Sequence, residues 1–469
     1  MNITRRTFII RTAQLGAALL IPVACGRNGS LSDLGNSQSK SLASDDDHFF
    51  LHIVPSYPAG WDSQYLFDAR PLEMTEKGIV QNYLGEHPFH WIGKNGTRAL
   101  ASPLVRPLIP YRDYFSVVNG AQMAKIDGHG PNFNFLFSGN ALGGPSFIPR
   151  LNQVFSQPCT LDAVQHGYIF AVVTNDANIV PFEGNAARRL AEARPSEEAV
   201  LDVDDPLFRY VSGRMRALGE GEGEFSTGAE QMAQSMTAAP STARRLEALG
   251  LHAEDTPNEA SFVRLAVDLF RKRIARSAIV VLDKKRFNYD THAASNAKLQ
   301  PLAYRLMMRQ LGGVLKALRE TPFDDKRSAM DVVTFLVSSE FGRTMRQDGH
   351  PIDDTGTDHN PLSNSVLIGG KGIRSGLVLG ESDFQNADEA LTPAHLALDP
   401  TRLRAIGRPF DFRAQRPMAK PPEVPQDADY LNFGSVINTL FGLFSVEKKY
   451  HWKFDGSERP APVLDSLLL

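Results

Sequence analysis

The amino-acid sequence predicts an α/β fold, a three-layer α/β/α sandwich with a mostly parallel central sheet. Short apolar runs, ended by turn residues, recur along the chain and are typical of strands that are buried on both faces. Amphipathic segments with apolar residues at helical spacing lie between these runs. This alternation is the one expected when covering helices connect the strands of a parallel sheet.

The first predicted strand is the apolar run at 48–54, which Pro55 ends. Further buried strands are predicted at 115–121, 168–174, 277–282, 331–337, 365–368 and 377–379. Helices are predicted at 131–139, with Gly139 near its end, at 261–273 and at 299–318. The last helix is expected to turn one apolar stripe to the core: Leu299, Leu302, Leu306, Val314 and Leu318.

An arginine pair followed by an apolar run opens the chain and predicts export. Arg5 and Arg6 precede Phe8 and two aliphatic residues, which is the twin-arginine signature. The apolar stretch at 15–24 is shorter than the roughly 20 residues of a membrane span and fits a cleavable signal at 1–25. The predicted partner during export is the twin-arginine translocase, and the predicted destination is the periplasm or cell envelope.

The end of this signal leaves two fates open. Cys25 resembles a lipoprotein processing site, at which the cysteine is acylated, although Pro22 stands where such sites usually carry Leu. Residues 26–47 are rich in Ser, Asn, Gly and Asp and are predicted to form a flexible linker. Such a linker suits a lipid-anchored protein and a released one equally, so the membrane is a partner only through the signal or a lipid anchor.

Composition limits the classes of protein that the rest of the chain can belong to. Residues 48–469 are predicted to form one α/β domain with a helical insertion at about 186–259, where Ala, Glu and Arg dominate. The net charge is −3 and both signs are mixed along the chain, so nothing supports nucleic-acid binding. Only Cys159 follows Cys25, so stability must come from a packed core and not from a disulfide framework.

Carboxylates, imidazoles and one arginine recur after the predicted strands. Because ligands bind at the carboxyl ends of the strands in open α/β sheets, we expect these side chains to meet at one edge. Asp, Glu and His are ligands for divalent ions such as Zn, Mn, Mg or Ca. Turn and capping chemistry would also explain the aspartates, but it explains the three histidines less readily. The set is Asp62, His129, Asp290, His292, Glu340, Arg343, Asp358 and His359.

Three segments of this set resemble the signature blocks of a bacterial family known as domain of unknown function 1501. They are Tyr289-Asp290-Thr291-His292, Ser339-Glu340-Phe341-Gly342-Arg343-Thr344 and Gly356-Thr357-Asp358-His359. Their order and spacing match, and the resemblance covers nearly the whole chain after the signal. It implies an alkaline phosphatase and sulfatase-like fold, with a binuclear metal site at one edge of the sheet.

The resemblance also implies roles for individual residues. It implies that Asp62, Asp290, His292, Glu340 and His359 are metal ligands, with Glu340 in place of the superfamily's Asp and Phe341 in place of a metal-binding His. Asp358 is expected to complete the metal site as a carboxylate that orients a histidine ligand. Arg343 is expected either to clamp an anionic group of the substrate or to form an ion pair with Glu340 or Asp358.

The catalytic nucleophile is where the sequence departs from the superfamily. The superfamily places a Ser or Thr ten residues before the Gly that ends its helix, and counting back from Gly139 reaches His129. His129 is therefore predicted to be catalytic as a nucleophile or as a general base on water, or else to bind metal. The resulting hypothesis is an exported metal-dependent hydrolase of an anionic ester, phosphate or sulfate. The alternative is a non-catalytic envelope binding or assembly protein that keeps the fold, and a third possibility is a purely structural metal.

Overall fold

The computed structural model describes residues 47–70, 83–126, 128–152, 159, 161–167, 179–181, 258–282, 288–345, 356–385, 404–423, 425–453 and 459–469. The predicted signal, the strand at 168–174 and almost all of the predicted linker and insertion lie outside these residues, so they stay predictions. No helix among the described residues has the length and apolar character to cross a membrane.

The central feature is an eight-stranded sheet. Its strands are β1 Phe49–Pro55, β4 Phe115–Val118, β5 Leu161–His166, β6 Ile179–Pro181, β7 Ala275–Leu282, β8 Val333–Val337, β11 Val366–Gly370 and β12 Val378–Leu379. Across the sheet they lie in the order β12-β4-β11-β8-β1-β7-β5-β6. Two-stranded pairs are formed by β2 Phe89–Ile92 with β3 Arg98–Ala101, β9 Gly342–Arg343 with β10 His359–Asn360, β13 Ser382–Gln385 with β14 Arg404–Gly407, and β15 Phe410–Asp411 with β16 Arg416–Pro417.

Most of the sheet is parallel, with one exception. The neighbours β8, β1, β7, β5 and β6 all run parallel, and β12 runs parallel to β4. Strand β11 runs antiparallel to both of its neighbours, β8 and β4. Because β11 is antiparallel to both β8 and β4, these two strands point the same way. The carboxyl ends of β4, β8, β1 and β7 therefore lie at one edge.

Helices cover both faces of the sheet and give it the predicted three layers. They are α1 His129–Ser138, α2 Ile148–Asn152, α3 Glu259–Arg271, α4 Ala294–Glu320 and α5 Phe433–Leu443, with a 3₁₀ segment at Pro103–Tyr114. Alternate residues of β1 enter opposite cores. Leu51 and Ile53 pack in the core that contains α3, α4 and the 3₁₀ segment, whereas Phe50 and Val54 pack in the core that contains α1, α2 and α5.

The periodic apolar runs predicted most of these elements correctly. Strands β1, β4, β7, β8, β11 and β12 and helices α1, α3 and α4 lie where the sequence placed them, within a few residues. Helix α1 ends because Gly139 adopts φ 72° and its N–H bonds to the carbonyl of Phe135. Any other residue at this position would bring a Cβ within 2.6 Å of the Trp452 ring.

One prediction about α4 was wrong. Leu299, Leu302 and Leu306 are 45 %, 42 % and 39 % exposed, although Val314 and Leu318 are buried as expected. The buried stripe in the first half of α4 is rotated by about one position and consists of Gln300, Ala303, Tyr304, Met307 and Met308. The prediction assigned the buried stripe from the leucines, but at this end of the helix the core contains the polar side chains of Gln300 and Tyr304.

Candidate metal centre

Four strand ends deliver the predicted site residues to one edge of the sheet. Strands β8, β1 and β7 are adjacent and parallel, so the segments that follow them leave the sheet side by side. These segments carry Glu340 after β8, Asp62 after β1, and Asp290 with His292 after β7. The chain after β4 reaches the same edge and begins α1 with His129.

Hydrogen bonds between loops bring the other histidine to this group. The N–H of Thr357 donates to the carbonyl of Thr291 at 2.8 Å, and the hydroxyl groups of these two threonines bond to each other at 2.5 Å. Strand β10 pairs with β9 so that His359 lies opposite Arg343. These contacts place His359 beside His292.

The centre of the site is a cluster of three imidazoles. His129, His292 and His359 each offer a ring nitrogen, and these three atoms lie within 4.8 Å of one another. The rings of His292 and His359 meet edge to face with centroids 4.4 Å apart, and His129 and His359 do so at 4.6 Å. Three converging imidazoles are a donor set that holds transition-metal ions.

His129 is tied to a buried carboxylate. Its Nδ1 lies 3.0 Å from Oε1 of Glu340, which assigns the ring proton to Nδ1 and leaves the lone pair on Nε2. Nε2 is buried and has no hydrogen-bond partner among the residues that the structure describes. Burial acts to lower the pKa of His129, but the carboxylates of Asp290 and Glu340 outweigh it and raise the pKa.

The other two rings share a hydrogen bond. The N–H of Gly128 donates to Nδ1 of His359 at 3.2 Å, so a neutral His359 carries its proton on Nε2. That proton is shared with Nε2 of His292, 2.7 Å away, so an ion would bind these two nitrogens by displacing it. Burial and the positive charge of Arg343 lower the pKa of His292, which keeps this ring neutral and able to bind a metal.

Asp290 lies between the imidazoles and a buried guanidinium. Its Oδ1 is 3.6 Å from Nε2 of His129, 3.5 Å from Nε2 of His292 and 3.0 Å from Nη2 of Arg343. Although burial acts to raise the pKa of Asp290, His129 and Arg343 outweigh it and lower the pKa, so the group is ionised. Within the described residues, the ion-pair partner of Arg343 is Asp290, whereas the sequence suggested Glu340 or Asp358.

The side chain of Arg343 is fully buried and fixes the loop after β1. Its Nε donates to the carbonyl of Gly60 at 3.3 Å, and its Nη2 also donates to the carbonyl of Ala59. Gly60 has φ 70°, and a Cβ on it would lie 2.1 Å from the ring of Phe341. The loop can approach Arg343 and Phe341 this closely only because residue 60 has no side chain.

Asp62 lies apart from the three imidazoles in a polar pocket of its own. Its carboxylate accepts hydrogen bonds from the backbone N–H of Gln64 at 3.0 Å and from its side chain at 3.1 Å. Nε2 of Gln300 lies 3.5 Å from the other oxygen, and the hydroxyl of Tyr304 contacts the N–H of Asp62. Burial raises the pKa of Asp62 to about 7, so the folded protein holds this carboxyl neutral below that pH.

Asp358 supports the imidazoles from the outside. Its Oδ1 lies 3.6 Å from Nδ1 of His292 and accepts a hydrogen bond from the N–H of His359 at 2.8 Å. Asp358 is itself held by Thr344, whose hydroxyl accepts from its N–H at 2.7 Å. The sequence assigned Asp358 to orient a histidine ligand, and that role stays a prediction.

These side chains fit a single divalent ion. A ring nitrogen of His129 lies near those of two further imidazoles, and the ionised carboxylate of Asp290 lies 3.6 Å from its buried Nε2 and offsets positive charge. Nitrogen donors suit zinc-like ions, whereas Mg²⁺ and Ca²⁺ prefer oxygen. The three histidines could be predicted from the sequence, but the backbone N–H donors of Ala59 and Gly128 could not. Every residue except proline has a backbone N–H, so the residue type does not show which one donates.

The chain matches a family model of unknown function over part of its length. The family model "Protein of unknown function (DUF1501)" matches residues 184–410, which include Asp290, His292, Glu340, Arg343, Asp358 and His359. Asp62 and His129 lie before the matched residues. No curated protein matches the chain.

Several solved structures share features of the fold at low sequence identity. The lipoteichoic acid synthase LtaP from Listeria monocytogenes is 7% identical, with a TM-score of 0.32, over 72% of this chain and 68% of that protein. An alkaline phosphatase superfamily protein from Vibrio parahaemolyticus is 13% identical, with a TM-score of 0.30, over 86% and 88% of the two chains. The alkaline phosphatase of the Antarctic bacterium TAB5 is 9% identical, with a TM-score of 0.28, over 71% and 94%.

Proposed function

We propose that this protein is an exported metal-dependent hydrolase that acts on an anionic ester, a phosphate or a sulfate. The observation that carries the proposal is the cluster of His129, His292 and His359, in which Nε2 of His129 is buried and has no hydrogen-bond partner among the described residues. These three imidazoles would hold one divalent ion, and their nitrogen donors favour zinc over magnesium or calcium. Such an ion supplies Lewis acidity, which activates water and polarises the ester oxygen.

Water, and not a side chain, is the proposed nucleophile. The sequence from residue 126 to residue 136 contains no Ser or Thr. The hydroxyls after β8 are occupied, since that of Ser338 bonds to His52 at 2.9 Å and that of Ser339 accepts from the N–H of Trp61 at 3.0 Å. His129 is equally unsuited to be a nucleophile, because Glu340 holds its Nδ1 and the cluster surrounds its Nε2.

Two charged groups would act on the substrate side of the cluster. The carboxylate of Asp290 is ionised and lies at the open side of His129 and His292, where it can accept a hydrogen bond from water. Nη1 of Arg343 is buried and has no hydrogen-bond partner among the described residues, so an anionic oxygen that enters the site would supply one. An ester that carries negative charge would fit this guanidinium and a divalent ion held by the imidazoles better than a neutral ester.

The direct test is hydrolysis by the purified full-length protein after loading with Zn²⁺ or Mn²⁺. We expect release of the phenol from an aryl phosphate or aryl sulfate, and a loss of at least about 100-fold in His292→Ala, since activation of water is lost with the ion. His90→Ala, an exposed histidine on β2, is the matched control and should keep full activity. The proposal fails if the loaded protein hydrolyses neither ester.

A non-catalytic envelope binding protein is the second candidate. The observation that favours it is the complete burial of Arg343, whose contacts with Asp290 and with the carbonyls of Ala59 and Gly60 suffice for a structural role. This candidate predicts a bound ion and tight binding of inorganic phosphate or sulfate without turnover. Export by the twin-arginine route, with or without acylation of Cys25, belongs to both candidates as a proposal from the sequence.

A further inference from the structure

Glu340 was expected from the sequence to bind metal, but its carboxylate is already engaged by the protein. Oε1 accepts hydrogen bonds from the N–H of Ala59 at 2.8 Å and from Nδ1 of His129 at 3.0 Å. Oε2 accepts from the hydroxyl of Ser339 at 3.2 Å. The side chain is 1 % exposed, so these donors take most of the roughly four acceptor positions that a carboxylate has.

The contact with His129 has a consequence for the imidazole cluster. A carboxylate can only accept, so the Nδ1 of His129 must carry the proton. The lone pair then sits on Nε2, on the far side of the ring from Glu340. That atom is buried, has no hydrogen-bond partner among the described residues, and lies 3.6 Å from Oδ1 of Asp290, which is itself 3.5 Å from Nε2 of His292.

We propose that Glu340 is a positioning residue that turns His129 into a metal donor and does not bind the ion itself. It accepts the Nδ1 proton, which fixes both the tautomer and the angle of the ring, and a charged acceptor makes the opposite nitrogen a stronger donor. This inference rests on the proposed function in one respect, namely that the three histidines hold a divalent ion.

The surroundings of Glu340 are built to keep it in place. Ser339, which bonds to Oε2, also accepts a hydrogen bond from the N–H of Trp61, and its carbonyl accepts from Nδ2 of Asn364 at 2.9 Å. All of these residues are buried. A move of Glu340 towards an ion would leave the N–H of Ala59 buried and unpaired, which is unfavourable.

A double-mutant cycle on zinc affinity separates positioning from direct binding. We expect Glu340→Gln to weaken Zn²⁺ binding by about 10–100-fold, as the loss of an outer carboxylate does. In the His129→Ala background the same substitution should have no further effect, because Glu340 acts only through His129. Glu259→Gln, a substitution of another buried glutamate far along the chain on α3, is the matched control and should leave affinity unchanged.

The affinities are measured on the full-length protein by competition with a chromophoric chelator, and folding of each variant is checked by circular dichroism. If Glu340→Gln weakens binding equally in the wild-type and His129→Ala backgrounds, Glu340 binds the ion directly and the inference is wrong. If Glu340→Gln has no effect in the wild type, the inference is also wrong. If the wild type binds no Zn²⁺ at all, the proposed function itself fails.

A second measurement reads the tautomer of His129 directly in the wild-type protein. In the metal-free protein labelled with ¹⁵N-histidine, the ring nitrogens of His129 should show a protonated Nδ1 and an unprotonated Nε2 at pH 9, assigned by the loss of these signals in His129→Ala. The opposite tautomer, or an equal mixture of the two, would overturn the proposed role of Glu340.

Discussion

Replacing Asp62 with Asn tests whether burial raises the pKa of this carboxyl and so makes the stability of the protein depend on pH. Burial raises the pKa of Asp62 from 3.8 to about 7, whereas the unfolded chain keeps the lower value. Below pH 3.8 both states hold the proton, so the folded state has its full stability there. Between about pH 4 and 7 only the unfolded chain releases the proton, and stability falls as the pH rises. At about 1.4 kcal/mol per pKa unit, this loss reaches about 4 kcal/mol by pH 8.

Asp62→Asn removes this titration and keeps the oxygen that accepts from the N–H of Gln64. We therefore expect the variant to match the wild type at pH 4 and to exceed it by up to about 4 kcal/mol at pH 8. Urea unfolding in the presence of EDTA, at a series of pH values, gives the difference between the two proteins, so other titrating groups cancel. Asp113→Asn, at an exposed aspartate, is the control. If the difference in the free energy of unfolding between the two proteins stays constant from pH 4 to pH 8, the pKa of Asp62 is not raised in the folded protein.

Three further predictions concern the same region. Arg343→Met should lower the free energy of unfolding by about 3 kcal/mol in urea titrations, because it removes the buried partner of Asp290 and three hydrogen bonds; stability equal to the wild type would count against this. Gly60→Ala should lower the melting temperature by several degrees, since its Cβ would lie 2.1 Å from the ring of Phe341. Gly313→Ala on α4, where the Cβ has open space around it, should raise the free energy of unfolding by up to about 1 kcal/mol. Metal analysis of the purified protein should find one ion per chain, because Glu340 and Asp290 are already bound by protein donors; two ions would restore the binuclear site that the resemblance implies.

The strands of the parallel sheet could be predicted because each one is a short apolar run buried on both faces. The runs at 48–54 and 331–337 became the adjacent strands β1 and β8 for this reason. Periodicity does not encode direction, so the reversed orientation of β11 had no signature in its three apolar residues, Val366, Leu367 and Ile368. Strand β5 was missed because its sequence, LDAVQH, mixes polar and apolar residues.

The candidate site was predictable in its membership more than in its roles. His129, Asp290 and His292 follow strands whose carboxyl ends meet at one edge, whereas contacts between loops bring His359 to them. The division between ligands and supporting groups depends on distances of a few tenths of an ångström, and residue types do not carry that information. Asp62 and Glu340 show this, since one lies in a separate polar pocket and the other bonds to His129.

The most direct test of the metal centre is a zinc titration of the chelator-stripped, full-length protein and of four histidine variants. We expect one tight zinc site in the wild type and in His90→Ala. The zinc affinity should fall at least about 100-fold in His129→Ala, His292→Ala and His359→Ala, because each substitution removes one of three ligands. Binding that is equally tight in all five proteins, or absent from the wild type, would contradict the claim that these three imidazoles form the functional centre.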